Sequence, residues 1–214
     1  MRKLIVWNMV SLDGYYEGPG GDVMVLPLDG SFDIYSAQRL READTLLLGH
    51  KTYGAFKGFW PSMADNEAAT PAQKEISRRQ NSMDKVVISN ALTADETDPW
   101  RDTTTIVRRA DAHETIAELK GQPGNDIVVA GSHILWNDLL VHGLVDEIHL
   151  MIGALVVAQG TPAFDSPIDR VGLPPREPNL SLRLIDVTKP DDTENMLARY
   201  EVKAKMGRTS TEEK

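Results

Sequence analysis

An α/β domain built on a mainly parallel central sheet, with helices on both faces and an antiparallel hairpin at its C-terminal end, is what this sequence predicts. Three observations predict it. Short continuous apolar runs recur along the chain, helical patterns lie between them, and the C-terminal part changes to strict alternation. Continuous runs mark strands buried on both faces, as in the middle of a covered parallel sheet. Strand and helix in alternation imply right-handed crossovers.

The strand runs are Leu4 to Trp7, Thr45 to Leu48, Val86 to Ile88, Thr104 to Val107, Ile127 to Ala130 and Ile148 to Ile152. Helical spacing covers Phe32 to Ala43, Ala112 to Leu119 and Ser132 to His142. Ser31 reads as the N-cap of the first helix, after a tight turn at Gly30, which puts Asp33 in the first helical turn. Leu182 to Val187 and Met196 to Val202 read as the hairpin, separated by a polar stretch that begins at Lys189-Pro190. Three segments, Glu17 to Gly30, Pro61 to Pro71 and Gly160 to Leu180, are rich in Gly or Pro and read as long loops, which in compact domains are often functional. One domain over 1–204 is expected, with a polar frayed tail over 205–214.

Composition narrows the function. The net charge of -9 and a pI of about 5.0 argue against a nucleic-acid partner, which calls for a basic face. The absence of cysteine excludes disulfides, thiolate catalysis and zinc–cysteine sites. No apolar run approaches the roughly 18 residues that span a bilayer, and the N-terminal apolar stretch is too short for a signal peptide, so a cytoplasmic location is expected. The five histidines show no metal-ligand spacing in the sequence, and no metal is expected. A nucleophile elbow and a G-x-G-x-x-G fingerprint are both missing.

The chemistry-bearing motifs fall where strands end. Ala130-Gly131-Ser132-His133-Ile134 follows a buried strand and opens a helix, so its glycine and first-turn amides suit a phosphate, or form only a turn and a cap. Leu48-Gly49-His50-Lys51-Thr52-Tyr53 brings an imidazole, an ammonium and a hydroxyl to a second such junction. Open α/β sheets bind ligands at these strand ends. Ser11-Leu12-Asp13-Gly14 closes the first strand, Ser89-Asn90 another, and Arg108 the weaker one.

These motifs in this order, with Phe59-Trp60-Pro61, Lys85 to Ser89, Asp126 to Ser132, Gly143 to Glu147 and Gly160 to Phe164, resemble the dihydrofolate-reductase-like superfamily. The sequence is most similar to stand-alone relatives of the reductase half of the bifunctional riboflavin-biosynthesis deaminase-reductase. The resemblance spans residues 3 to 165, and no deaminase signature is present.

The resemblance implies NADPH as cofactor, with NADH as the second option. It places the nicotinamide near Val10, Ser11 and Asp13. The pyrophosphate goes to the amides of Gly131, Ser132, His133 and Ile134, with Gly49, Lys51 and Thr52 beside it. The adenosine end lies near His50, Ser89, Asn90 and Arg108. His50 and Asn90 stand where relatives often carry Arg, so only a modest preference for the phosphorylated cofactor is expected. Trp7, Tyr16, Phe32, Tyr35 and Trp60 are candidate walls of a small-molecule pocket.

Asp33 lies sixteen positions before Gly49, the spacing of the substrate-binding acid in dihydrofolate reductases. It is the candidate catalytic residue, with a helix-dipole role as the alternative. The reaction implied is hydride transfer to a C=N or C=O carbon of a pyrimidine- or pterin-like heterocycle, similar to 5-amino-6-(5-phosphoribosylamino)uracil reductase. A dihydrofolate or pterin reductase and a non-catalytic nucleotide-binding protein remain open. A homodimer through the hairpin and the segment Ile148 to Val157 is also implied.

Overall fold

A computed structural model describes residues 1–164 and 180–203. The expected tail over 205–214 and most of the third long loop lie outside these described residues. The elements are β1 (Leu4–Ser11), β2 (Tyr15–Glu17), α1 (Gly30–Glu42), β3 (Ala43–Gly49), α2 (His50–Phe59), α3 (Pro71–Ser82), β4 (Asp84–Ile88), β5 (Thr104–Val107), α4 (Ala112–Gly121), β6 (Asp126–Ala130), α5 (His133–Val141), β7 (Glu147–Gly153), β8 (Thr161–Pro162), β9 (Ser181–Thr188) and β10 (Met196–Lys203).

Eight strands form one sheet in the order β5-β4-β3-β6-β1-β7-β10-β9, while β2 and β8 pair separately. All neighbours from β5 to β7 are parallel, and β10 is antiparallel to both β7 and β9. The continuous apolar runs are buried as expected. Every residue of β1 is buried, and Leu4, Val6, Leu46, Leu47, Leu48, Val128 and Val129 are fully enclosed. Alternate side chains feed two cores. One lies under α1, α2 and α3, around Ile5, Trp7, Leu40, Tyr53 and Ile76. The other lies under α4 and α5, around Leu4, Val6, Ile116, Trp136 and Leu139.

Three features differ from the expectations or add to them. The N-cap of α1 is Asp29, whose carboxylate accepts the amides of Ser31 and Phe32, and Gly30 is the first helical residue rather than a tight turn. The Ser31 hydroxyl instead donates to Asp29 Oδ1 at 2.5 Å and so supports that cap. The expected loop from Pro61 is followed at once by α3. Its apolar content is too low for a periodicity argument, since only Ile76, Ser77 and Gln80 are buried. Its signal is instead the capping box Thr70-Pro71-Ala72-Gln73, with Pro at the first helical position. Third, β7 is enclosed between β1 and β10, and Ile148, Leu150 and Met151 are buried there. Within Ile148 to Val157 the free apolar surface is therefore confined to the loop after β7, where Val156 is exposed. The hairpin offers more, with Leu184, Ile185, Val187 and Met196 exposed.

Candidate functional site

The topology puts one candidate crevice, a switch point, at the strand C-termini. From β3 the chain leaves through α2 and α3 toward β4, on one side. From β6 it leaves through α5 toward β7, on the other side and over the opposite face. β3 and β6 are neighbours, so their connections diverge over opposite faces, and the first turns of α2 and α5 meet at the strand ends. Such a switch point is where open α/β sheets admit ligands. The sheet is also stepped. Trp7 pairs with Ala130 at the end of β6, but β1 continues to Ser11, which pairs with Gly153 of β7. At about 3.3 Å per residue, β1 and β7 stand as a wall above the β3 and β6 ends.

The β6–α5 junction is the tightest part. Gly131 and Ser132 are both left-handed, at φ 59° and 54°. A Cβ on Gly131 would lie 2.8 Å from Thr52 Cγ2 and 3.4 Å from the Tyr16 hydroxyl. The glycine thus lets the junction close on α2. Its amide donates to Asn8 Oδ1 at 2.8 Å, and the Ser132 amide donates to Thr52 Oγ1 at 2.9 Å. Ser132 Oγ in turn accepts the Gly49 amide at 3.0 Å. The amides of Gly131 and Ser132, expected to face a phosphate, are therefore already engaged. Among the described residues, none accepts from the amides of His133, Ile134 or Leu135, the first turn of α5.

Cations line the same rim. His50 and Lys51 are exposed in the first turn of α2. The glycine-rich loop after β2 folds toward Lys51, since a Cβ on Gly21 would sit 3.4 Å from its Nζ and 3.6 Å from Glu17 Oε2. Arg108 follows β5 and folds onto the adjacent turn, donating to the carbonyl of Asn90. Ser89 is buried, and its hydroxyl accepts the amides of Ala91 and Leu92. Asn90 Oδ1 accepts the Arg109 amide. Ser89 and Asn90 therefore shape the turn that Arg108 covers.

At the β1 end, Val10 and Ser11 are buried, and Ser11 Oγ donates to Asp13 at 2.6 Å. The Asp13 carboxylate also accepts the amides of Val157 and Ala158 at 3.1 and 2.8 Å. The Ser11 hydroxyl and these amides hold its carboxyl below the ordinary aspartate value. Its acceptors are spent on pinning the loop after β7.

The five aromatic candidates separate. Trp7 is buried under α1 with Nε1 donating to Ser36 Oγ at 3.1 Å. Tyr35 is buried with its hydroxyl 2.7 Å from His149 Nδ1. These two are core residues, and Tyr35 also lines a cavity with Ile34, Gln38, Leu197 and Arg199. Both lie on the sheet face that α1 covers, where an apolar ring is drawn inward. His149 Nε2 lies 2.9 Å from Glu147 Oε2. A carboxylate only accepts, so Nε2 carries the hydrogen and Nδ1 accepts from Tyr35. Phe32 and Trp60 are half-buried at the edge of the same core. Tyr16 stacks on His133 with ring centroids 5.0 Å apart, and burial, with the nearby Glu17 charge, pushes its hydroxyl up to about 12.

Asp33 is half-buried in the first turn of α1 and accepts Gln73 Nε2 of α3 at 2.9 Å. Burial raises its carboxyl above the ordinary value. The Gln73 hydrogen bond opposes that shift in part, and the Asp29 charge adds to it. Asp29, one helical turn earlier, behaves oppositely. Its burial is outweighed by hydrogen bonds from Ser31, Thr193 and the helix amides, which hold it low. Two neighbouring carboxyls are thus shifted in opposite directions, Asp29 down by its hydrogen bonds and Asp33 up by burial.

Three partners were not singled out from sequence. Asn8 is the one amide side chain in the otherwise apolar run of β1, which is a usable signal. Asp29 and Gln73 carry only capping signals; the Gln73 contact with Asp33 needs the packing of α1 on α3, and the long-range partners of Asp29 are Thr193 and Asn195 before β10.

The model of the family described as the RibD C-terminal domain matches residues 2–191. The chain is 30% identical over 172 residues to the uncharacterized protein YyaP of Bacillus subtilis (strain 168), covering 80% of this chain and 85% of that protein. Among solved structures, a putative riboflavin biosynthesis protein from Shewanella sp. PV-4 aligns at a TM-score of 0.62 and 20% identity, over 94% of this chain and 99% of that one. Dihydrofolate reductase from Enterococcus faecalis, complexed with NADP(H), aligns at 0.53 and 12% identity, over 94% and 97%. The fold is dihydrofolate-reductase-like.

Proposed function

This chain belongs to the RibD C-terminal domain family, and on that premise we propose that it is a nicotinamide-dependent reductase of a small pyrimidine- or pterin-like heterocycle. One observation carries the reading. The crevice between β3 and β6 has unpartnered α5 amides on one side and the exposed His50 and Lys51 on the other. Helix amides and flanking cations are the donor set that a dinucleotide pyrophosphate requires.

In this reading His133 and Ile134 bind the pyrophosphate through their amides. Gly131, Ser132, Gly49 and Thr52 hold the two helix starts at a fixed spacing. Lys51 adds charge. His50 and Arg108 face the adenosine end, beside the turn of Ser89 and Asn90, and give NADPH a modest advantage over NADH. Val10 and Ser11 offer backbone, not side chains, to the nicotinamide. Bound in reduced form, the cofactor supplies a hydride. Asp33 holds a proton at its carboxyl and passes it to the substrate ring, and Phe32 and Trp60 form the apolar rim beside it.

NADPH should bind in the micromolar range, on the order of -8 kcal/mol. It should be oxidised in the presence of a ribosylaminopyrimidine, dihydrofolate or a small carbonyl compound. Asp33→Asn should lower kcat/KM by roughly 10²–10⁴-fold, as for other general acid–base groups, with NADPH affinity kept. Near-normal turnover in that variant would return Asp33 to a helix-start role. Binding without turnover of any of these compounds would leave a nucleotide-binding protein. We also propose a homodimer through the exposed face of the hairpin, which a monomeric mass by light scattering at micromolar concentration would remove.

A further inference from the structure

The histidines without ligand spacing in the sequence do converge in the fold. His113 stands in the first turn of α4. Asp138 lies on α5, and His142 caps that helix one turn later. His113 Nε2 is 2.6 Å from Asp138 Oδ2, and His142 Nδ1 is 3.4 Å from Asp138 Oδ1. The two imidazoles stack at a centroid distance of 3.8 Å. One ligand-type atom from each of the three residues lies within 4.8 Å of the other two. All three side chains are 40–47% exposed, so a solvated ion reaches them without opening the core.

We propose that His113, Asp138 and His142 bind one divalent transition-metal ion of the zinc class. The donor set selects it. Two imidazoles and one carboxylate suit Zn²⁺, Co²⁺, Ni²⁺ or Cu²⁺, whereas Ca²⁺ and Mg²⁺ take all-oxygen shells. Metal–ligand bonds of about 2.0–2.2 Å in a tetrahedral site place neighbouring ligand atoms about 3.3–3.6 Å apart. His142 Nδ1 already stands at that distance from the carboxylate, and the closer His113 contact opens to it by rotation of exposed side chains.

A proton now does the metal's work. His113 Nε2 faces a carboxylate oxygen and must carry a hydrogen, and His142 Nδ1 donates to the Asp138 carbonyl at 2.8 Å. When the ion enters, the hydrogen on each of these two nitrogens is exchanged through solvent to the other nitrogen of its own ring, so that His113 Nε2 and His142 Nδ1 present lone pairs to the metal and both imidazoles stay neutral. Three protein ligands leave at least one position for water.

The site is remote from the crevice. Nine residues of α5 separate His133 from His142, about 13 Å at 1.5 Å per residue. The metal's effect is therefore to tie the start of α4 to the end of α5.

Protein stripped with a chelator is titrated with Co²⁺ and followed by its visible d–d absorption and by calorimetry. One ion per chain is expected, with a Kd in the micromolar range. His113→Gln, His142→Gln and Asp138→Asn should each weaken binding at least about tenfold. Equimolar Zn²⁺ should raise the Tm of the native chain and not that of the His113→Gln/His142→Gln double variant. No binding up to millimolar Co²⁺ would overturn the proposal, as would binding kept by a folded double variant. A readout on the native chain does not depend on any variant folding. Co²⁺ paramagnetic effects in amide spectra should centre on the α4 start and the α5 end, and a centre elsewhere would equally overturn it.

Discussion

The two ends of the central sheet treat charge in opposite ways. At the N-terminal end of the strands, charged side chains are spent on the fold. Arg2 is buried, pairs with Asp44, and donates to the Asn125 carbonyl and Thr45 Oγ1, each at 2.7 Å. Lys120 donates to the Leu144 carbonyl and pairs with Asp146, both at 2.7 Å. Lys85 is enclosed, bonded to the Met83 carbonyl at 2.7 Å and lying over the Trp100 ring. At the C-terminal end, His50 and Lys51 are exposed, and among the described residues neither makes an ion pair. One rim holds strands in register through partnered ions. The other leaves His50 and Lys51 exposed, where the proposed cofactor would meet them.

The contrast can be broken at each rim. Arg2→Met removes the cation and leaves the Asn125 and Thr45 oxygens and the Asp44 carboxylate without it. It should cost about 2–4 kcal/mol in urea unfolding and leave NADPH affinity unchanged. Ile134→Glu does the reverse. Ile134 is 75% exposed in the first turn of α5, so a carboxylate there should stabilise the helix by about 0.3–1 kcal/mol. It should weaken NADPH binding by about 10–100-fold through repulsion of the phosphates. Equal affinity losses in the two variants would erase the distinction between the rims.

Two glycines sharpen it further. Gly131→Ala forces an alanine to φ 59° with its Cβ 2.8 Å from Thr52, and should cost at least about 1–2 kcal/mol. Gly131→Val would disturb the junction itself, so it does not isolate cofactor contact. Gly49 has an ordinary φ of -82°, and a Cβ there would meet only the Ser132 side chain at 3.9 Å. Gly49→Ala should keep the Tm, so any fall in NADPH affinity reports backbone approach directly. An unchanged affinity would move the ligand away from Gly49.

The smallest effect is a pH slope. Burial pushes His149 down to about 4, against the opposing pull of Glu147. Between that value and the ordinary histidine value near 6.5, the unfolded chain binds a proton that the folded chain refuses. Stability therefore falls as pH drops through this window, by up to about 1.4 kcal/mol per pH unit for one proton. Replacing both hydrogen-bonded partners, as Tyr35→Phe with His149→Leu, should flatten the Tm profile between pH 4 and 6.5. A slope equal to that of the native protein would assign the acid sensitivity to carboxylates instead.

The strands were legible because their apolar runs are continuous, and continuity is what two-sided burial demands. The helices over α1, α4 and α5 carried enough apolar periodicity to be read, while α3 did not. The glycine junctions after β3 and β6 were legible as well, since strand, glycine and polar helix start are local features. What sequence by itself determined is thus the sheet, its crossovers, its antiparallel hairpin, the strand-end location of the candidate site and the family.

Tertiary structure alone decided which polar atoms remain available. Asp13 spends its carboxylate on Val157 and Ala158, 144 and 145 positions away. Ser132 and Thr52 spend theirs on each other's helix starts. Trp7 and Tyr35 turn into the core, and His113 finds His142. Hydrogen-bond occupancy and burial depend on neighbours distant in the chain, and no local pattern encodes which of two equivalent donors meets a partner first.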